Sequence, residues 1–246
     1  MDYADTLRRL EIEYDALLDT LVALPPGAPV PTCPKWTVHD LVDHVAGVHD
    51  WVARSLRTPP DGDRPAWGDR PERWTDLVPH ARAAFATMLD LFATTDPATP
   101  TWTHVNPKTY ARAARRQLHE AAIHRLDAEH AKSPDARPTH RFDPDLAADG
   151  VDEYLTDMLG YVSARKPITT TGRILFHATD AGRGWEVALT EGERPVTGPP
   201  ATSPGTTGPD TTVSGTADEL FRAVWDRPNH ASVTGDRHLL DSLPRP

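Results

Sequence analysis

The sequence predicts an α plus α+β fold, with a helical bundle over residues 1–165 followed by a second, smaller α+β domain over 166–246. Three observations lead there. Apolar residues recur at three- and four-residue spacing through successive segments of the first part, the period of helices that bury one face. After Pro167 the texture changes to short β-rich runs separated by Gly and Asp. At 246 residues the chain could be one large domain or two modest ones, and its last segment is small but within the range that folds alone.

Tyr3, Leu7, Leu10, Tyr14, Leu17 and Leu21 mark an amphipathic first helix that ends at Pro25-Pro26. The second starts after Thr37, which can cap it, with Asp40 completing a box-like pattern, and runs to about Arg57. Residues 58–71 are too rich in Pro, Gly and Asp for regular structure. A third helix covers Pro71 to about Thr94, with Trp74, Leu77, Phe85, Met88 and Phe92 on one face. The fourth, Thr109 to Ala131, is free of Pro and Gly and dense in strong helix formers. A fifth spans roughly Leu146 to Ala164. Ile168–His177 and Trp185–Thr190 then read as a hairpin, residues 191–210 as a loop and Thr211–Ser214 as a strand. Glu219–Trp225 reads as a helix, and Ala231–Leu243 as a last strand and helix.

The 26 basic against 36 acidic residues give a net charge of -10, so a general electrostatic grip on nucleic acid is not expected. The apolar stretches fall far short of the ~20 residues that cross a bilayer, and the start lacks the basic flank and apolar run of a signal peptide. A cytoplasmic protein is the expectation. The single cysteine, Cys33, excludes an internal disulfide and Cys-rich zinc modules. Any metal site must then use His and carboxylates. The scarcity of Lys, at positions 35, 108, 132 and 166, together with 25 Pro suggests a GC-rich genome.

Among 12 histidines, spacing decides which matter. In the second helix Val38, Leu41, Val45, Val48 and Val52 define the apolar face, with His44 at its edge, His49 within the arc and His39 pointing away. His44 and His49 lie ~140° apart around the helix and cannot readily chelate one ion. In the fourth helix Glu120 and His124 are one turn apart, beside the stripe of Tyr110, Ala114, Gln117, Ala121 and Ala128 that should face the bundle interior. A carboxylate there needs a partner. A divalent metal would supply one, with His44 as third ligand across the bundle, and such a set leaves a coordination position open as in catalytic zinc sites. The plainer alternative is that Glu120 pairs with His124 or Arg116 and that His44 is a core histidine. The zinc-protease helix pattern does not apply, because His119 and His124 are five residues apart rather than four. Cys33 precedes a helix N-terminus and reads either as an activated thiol or as a small buried hydrophobe. The seven Trp are core by default, except that Trp67 lies in the loop.

The segment Cys33-Pro-Lys-Trp36-Thr-Val-His-Asp-Leu-Val-Asp-His44-Val-Ala-Gly47-Val-His49, taken with Arg115-Arg-Gln-Leu-His-Glu120-Ala-Ala-Ile-His124-Arg-Leu-Asp127-Ala-Glu129, resembles the mycothiol-dependent maleylpyruvate isomerase family. The tail from Val213 to Asp236 is similar to the family's C-terminal pattern, so the resemblance covers nearly the whole chain. It implies a DinB-like metal-binding four-helix bundle with a sterol-carrier-like α+β domain. It also implies His44, Glu120 and His124 as zinc ligands, and mycothiol, the thiol of high-GC actinobacteria, as cosubstrate. Family members commonly carry Gly where Lys35 stands. An Arg of the C-terminal domain serves substrate or cofactor in the family, for which Arg222 and Arg227 are the candidates here.

The implied activity is attack of a metal-activated thiol on an electrophilic small molecule. The outcome is cis–trans isomerisation if the thiol leaves again, or S-transfer if it stays. A monomer or homodimer is expected, with no nucleic acid or membrane partner. The rival is a non-catalytic metal- or ligand-binding carrier or regulator on the same scaffold.

Overall fold

The computed structural model describes residues 1–200 and 208–245. It divides into two compact units, Met1–His140 and Arg141–Pro246. No helix among the described residues is long and apolar enough to cross a membrane.

The first unit contains four helices, α1 (Tyr3–Val22), α2 (Val38–Leu56), α3 (Trp74–Thr94) and α4 (Tyr110–Lys132). Each except α3 begins at a side-chain cap. Asp2 accepts from Asp5 N, Thr37 from Asp40 N and Thr109 from Arg112 N, satisfying N–H groups that a helix start leaves without partners. At α2 the Asp40 carboxylate also accepts from Thr37 N at 2.8 Å, so the capping box is reciprocal. Those bonds hold the Asp40 carboxyl below its usual pKa. α1 packs chiefly on α4, and α2 on α3. The apolar residues picked out by spacing, including Leu10, Leu17, Leu21, Val38, Leu41, Val45, Leu77 and Met88, are buried in the core. Tyrosine hydroxyls tie the helices at their carbonyls, Tyr14 to Ala81 O at 2.8 Å and Tyr110 to Leu56 O at 2.6 Å.

In the second unit α5 (Pro144–Glu153) passes through a π-helical turn, Tyr154–Met158, into α6 (Leu159–Ser163). The helix expected from Leu146 thus starts earlier, where the Asp143 side chain caps a first turn opened by Pro144. Among the described residues a five-stranded sheet follows, in the order β3-β2-β1-β4-β5. The strands are β1 (Gly172–Ala178), β2 (Arg183–Leu189), β3 (Val196–Gly198), β4 (Thr211–Gly215) and β5 (Ser232–Gly235). The predicted hairpin is present, with Phe176 opposite Trp185, and β1 pairs with β4 in parallel. The short strand β3 falls within the loop expected over 191–210, part of which lies outside the described residues. Helix α7 (Ala217–Val224), capped by Thr216, buries Leu220, Phe221 and Val224. α8 (Arg237–Asp241) closes the unit.

The division at His140/Arg141 comes earlier than the sequence boundary after residue 165, because α5 packs on α7. Its apolar residues Leu146, Ala147 and Val151 are buried in that unit. Periodicity identifies the apolar face of a helix but carries no information about which neighbour covers it.

Candidate metal centre

The site is built from α2, α4 and the turn that enters α2. His44 stands on α2, one residue from the strictly buried Val45, and keeps a side-chain exposure of 30%. Glu120 and His124 stand one turn apart on the buried face of α4, as the spacing requires. The structure brings all three together. His44 Nε2 lies 3.1 Å from Glu120 Oε1, and His124 Nε2 lies 3.4 Å from the same oxygen. One donor atom from each of the three lies within 4.8 Å of the others.

Two imidazole nitrogens and a carboxylate oxygen are the donor set of an open zinc site, and bonds of ~2.0–2.2 Å in tetrahedral geometry place neighbouring donors about 3.4 Å apart. The two distances at Oε1 match that spacing. The residues therefore fit a divalent cation, with Glu120 as a one-oxygen donor.

The other Glu120 oxygen, Oε2, accepts from Arg116 Nη2, one turn earlier on α4. Both partners offered by the plainer sequence reading, Arg116 and His124, are thus engaged at once. Burial works against a charged Glu120 but is outweighed by Arg116 and the two histidines, so its pKa lies well below the usual value. For His124 burial favours the neutral ring. Hydrogen bonds with Asp127, Cys33 and Glu120 outweigh it, and its pKa is raised well above the ordinary value.

The turn before α2 delivers two groups that spacing alone did not assign. Val30 N bonds Trp36 O, Cys33 N bonds Val30 O and Trp36 N bonds Cys33 O, at 2.9–3.0 Å, folding residues 30–36 into a tight loop. Lys35 adopts φ +78°, in the left-handed region. Gly is the residue for which that conformation is least costly. The loop sets the Trp36 ring 4.8 Å from the His44 ring and 6.2 Å from that of His124. Trp36 therefore walls the site. It also sets Cys33, whose Sγ donates to Asp127 Oδ2 at 3.4 Å. Asp127 Oδ2 in turn faces His124 Nδ1 at 2.9 Å.

His49, inside the apolar arc as expected, is fully buried between Tyr14 and Phe85, with ring centroids 5.0 and 5.3 Å away. Among the described residues neither ring nitrogen has a hydrogen-bond partner, and burial pushes its pKa down to about 3. His39 points elsewhere and meets Glu72 O at 2.8 Å. Trp67 is 48% exposed and stacks on Trp51 rather than standing at the three donors.

The two arginines nominated in the second unit are engaged within it. Arg222 is fully buried on α7, and its Nε donates to Asp218 Oδ2 at 2.9 Å. Asp218 also accepts from Phe142 N and Arg141. A guanidinium so placed braces α7 against the segment before α5. Arg227 donates from Nη1 to Trp225 O at 2.7 Å.

Two family models match, the mycothiol maleylpyruvate isomerase N-terminal domain over residues 7–129 and the corresponding C-terminal domain over residues 145–242. Among curated proteins, none matches the chain's sequence. The fold is similar to the crystal structure of a mycothiol-dependent maleylpyruvate isomerase, with a TM-score of 0.64 and 11% identity over 100% of this chain and 97% of that one. A histidine-to-alanine mutant of that enzyme matches with a TM-score of 0.63 and 10% identity over the same shares. The two models together span both units, and the chain belongs to the mycothiol-dependent maleylpyruvate isomerase family.

Proposed function

We propose that the protein is a metal-dependent enzyme that uses mycothiol against a small electrophile, with His44, Glu120 and His124 as metal ligands. The observation that carries this is the convergence of His44 Nε2 and His124 Nε2 on Glu120 Oε1 at 3.1 and 3.4 Å, in a chain of this family. A divalent cation, zinc by the character of the donors, would lower the pKa of a coordinating thiol so that its sulfur is a thiolate at neutral pH. Around that position the chain's own residues do three things. Arg116 neutralises Glu120 and holds it in place, Trp36 limits the approach of water, and the partial exposure of His44 leaves one side open to a ligand.

Isomerisation and S-transfer share the activated thiol and differ in its fate. An isomerase returns mycothiol unchanged, whereas a transferase consumes one equivalent per product. The zinc-loaded protein incubated with mycothiol and maleylpyruvate tests both. Cis–trans conversion without thiol loss is the result expected of an isomerase, and thiol consumption with an adduct marks a transferase. A metal-replete protein that turns over neither maleylpyruvate nor a panel of conjugated or alkylating electrophiles would favour the carrier or regulator instead.

A further inference from the structure

The hydrogen-bonded pair Cys33–Asp127 takes no part in the donor set above, yet it reaches His124 of that set from behind. Asp127 is fully buried, three residues after His124 on α4, so both side chains leave the helix on one face. Its Oδ2 lies 2.9 Å from His124 Nδ1, while Nε2 of the same ring faces Glu120. The two ring nitrogens therefore have separate tasks. A carboxylate oxygen accepts, so Nδ1 must donate, and the lone pair left for a cation is on Nε2. The Cys33 thiol donates to the same Oδ2 at 3.4 Å, from a loop that also carries Trp36.

We propose that Asp127 is a positioning residue for the metal centre: its buried carboxylate fixes the Nδ1–H tautomer and the ring angle of His124, and the Cys33 thiol holds that carboxylate in register. The inference rests on the reading of His44, Glu120 and His124 as metal ligands. A carboxylate behind a ligating imidazole both orients the ring and increases its basicity, and loss of such a partner typically weakens metal binding by about 10–100-fold. Cys33, His124 and Asp127 also lie close enough to hold a second ion among themselves. The fully buried carboxylate, already shared by a ring N–H and a thiol, favours the hydrogen-bonded role.

The test uses the full-length protein and zinc alone as probe. Zinc affinity is measured by competition with a chromophoric chelator for the wild type, Asp127→Asn and Asp127→Ala. Ring tautomers of the zinc-loaded wild type are read from histidine 1H–15N correlation spectra. The expected result is one zinc per chain, His124 protonated at Nδ1, affinity about 10-fold weaker in Asp127→Asn and nearer 100-fold weaker in Asp127→Ala. A merely structural Asp127 would lower the melting temperature and leave zinc affinity of the folded variant within twofold, which overturns the proposal. So does a His124 ring protonated at Nε2 in the wild type, a measurement that needs no variant to fold. Two zinc ions in the wild type, falling to one in Asp127→Asn, would make Asp127 a ligand and equally overturn it. A wild type that binds no zinc would bring down the metal reading itself, and is thereby distinct from every other outcome.

Discussion

His49 and Lys35 each carry an energetic cost that a substitution can expose. Burial holds the His49 pKa near 3 against 6.5 for an unperturbed ring. Between those values the unfolded chain carries a proton there and the folded chain does not. Unfolding then takes up a proton, so stability falls as pH drops from about 6.5 towards 3. We predict that His49→Phe, which suits the niche between Tyr14 and Phe85, flattens the pH dependence of unfolding free energy at pH 5 by about 1 kcal/mol per pH unit. Denaturant titrations of both proteins from pH 4.5 to 7 check this, and equal slopes would contradict it. Lys35 holds φ +78° at a cost of ~1–2 kcal/mol relative to the right-handed region, partly offset by the larger chain entropy that Gly loses on folding. Lys35→Gly should therefore stabilise the chain by about 0.5–1 kcal/mol, read as an upward shift of the denaturation midpoint. Of the site, the i, i+4 pair Glu120/His124 was legible in the sequence because one helix carries both. His44 is offered as third ligand by its place at the edge of the α2 apolar face and singled out by the family resemblance, since nothing in local spacing sets two helices side by side. Asp127 had a readable signal, a carboxylate three residues beyond His124. Cys33 is marked in the sequence only by its place before a helix N-terminus, and neither its bond to Asp127 nor the approach of Trp36 to the site is legible there, because a loop places them.

At the scale of elements, patterns that depend on neighbours in sequence are legible in it and those that depend on neighbours in space are not. The cap at Thr37 and the hairpin β1–β2 follow from local residue types. The π-helical turn at Tyr154–Met158 and the strand Val196–Gly198 do not, because each exists through its tertiary context: β3 completes the edge beside β2, and Thr197 Oγ1 bonds Leu155 O at 2.7 Å within the π turn. The end of β5 shows how narrow such a context can be. Gly235 has φ +90°, and a Cβ there would stand 2.1 Å from Asp210 O, a backbone atom that cannot swing away. Gly235→Ala should accordingly cost about 2–3 kcal/mol, the order of a strained backbone position. Chemical unfolding of the variant measures it, and a change under 1 kcal/mol would show that the β4–β5 junction yields more easily than its geometry implies.

For the whole molecule, the switch from helices to strands was legible, but the division at His140/Arg141 was not, since the helix after Asp143 packs on α7 of the unit that follows. All three proposed ligands and Asp127 lie in Met1–His140, so a fragment of residues 1–140 that folds should bind one divalent ion with an affinity close to that of the full chain, as read by isothermal titration calorimetry with zinc. A folded fragment without affinity would show that the donors depend on residues beyond 140. The most direct test of the account is elemental analysis of the full-length protein beside His44→Ala, Glu120→Ala and His124→Ala, each verified as folded by circular dichroism. About one divalent ion per chain in the wild type and less than roughly a tenth of that in every variant is the predicted result for a three-ligand site, whereas full occupancy in all three variants would contradict it.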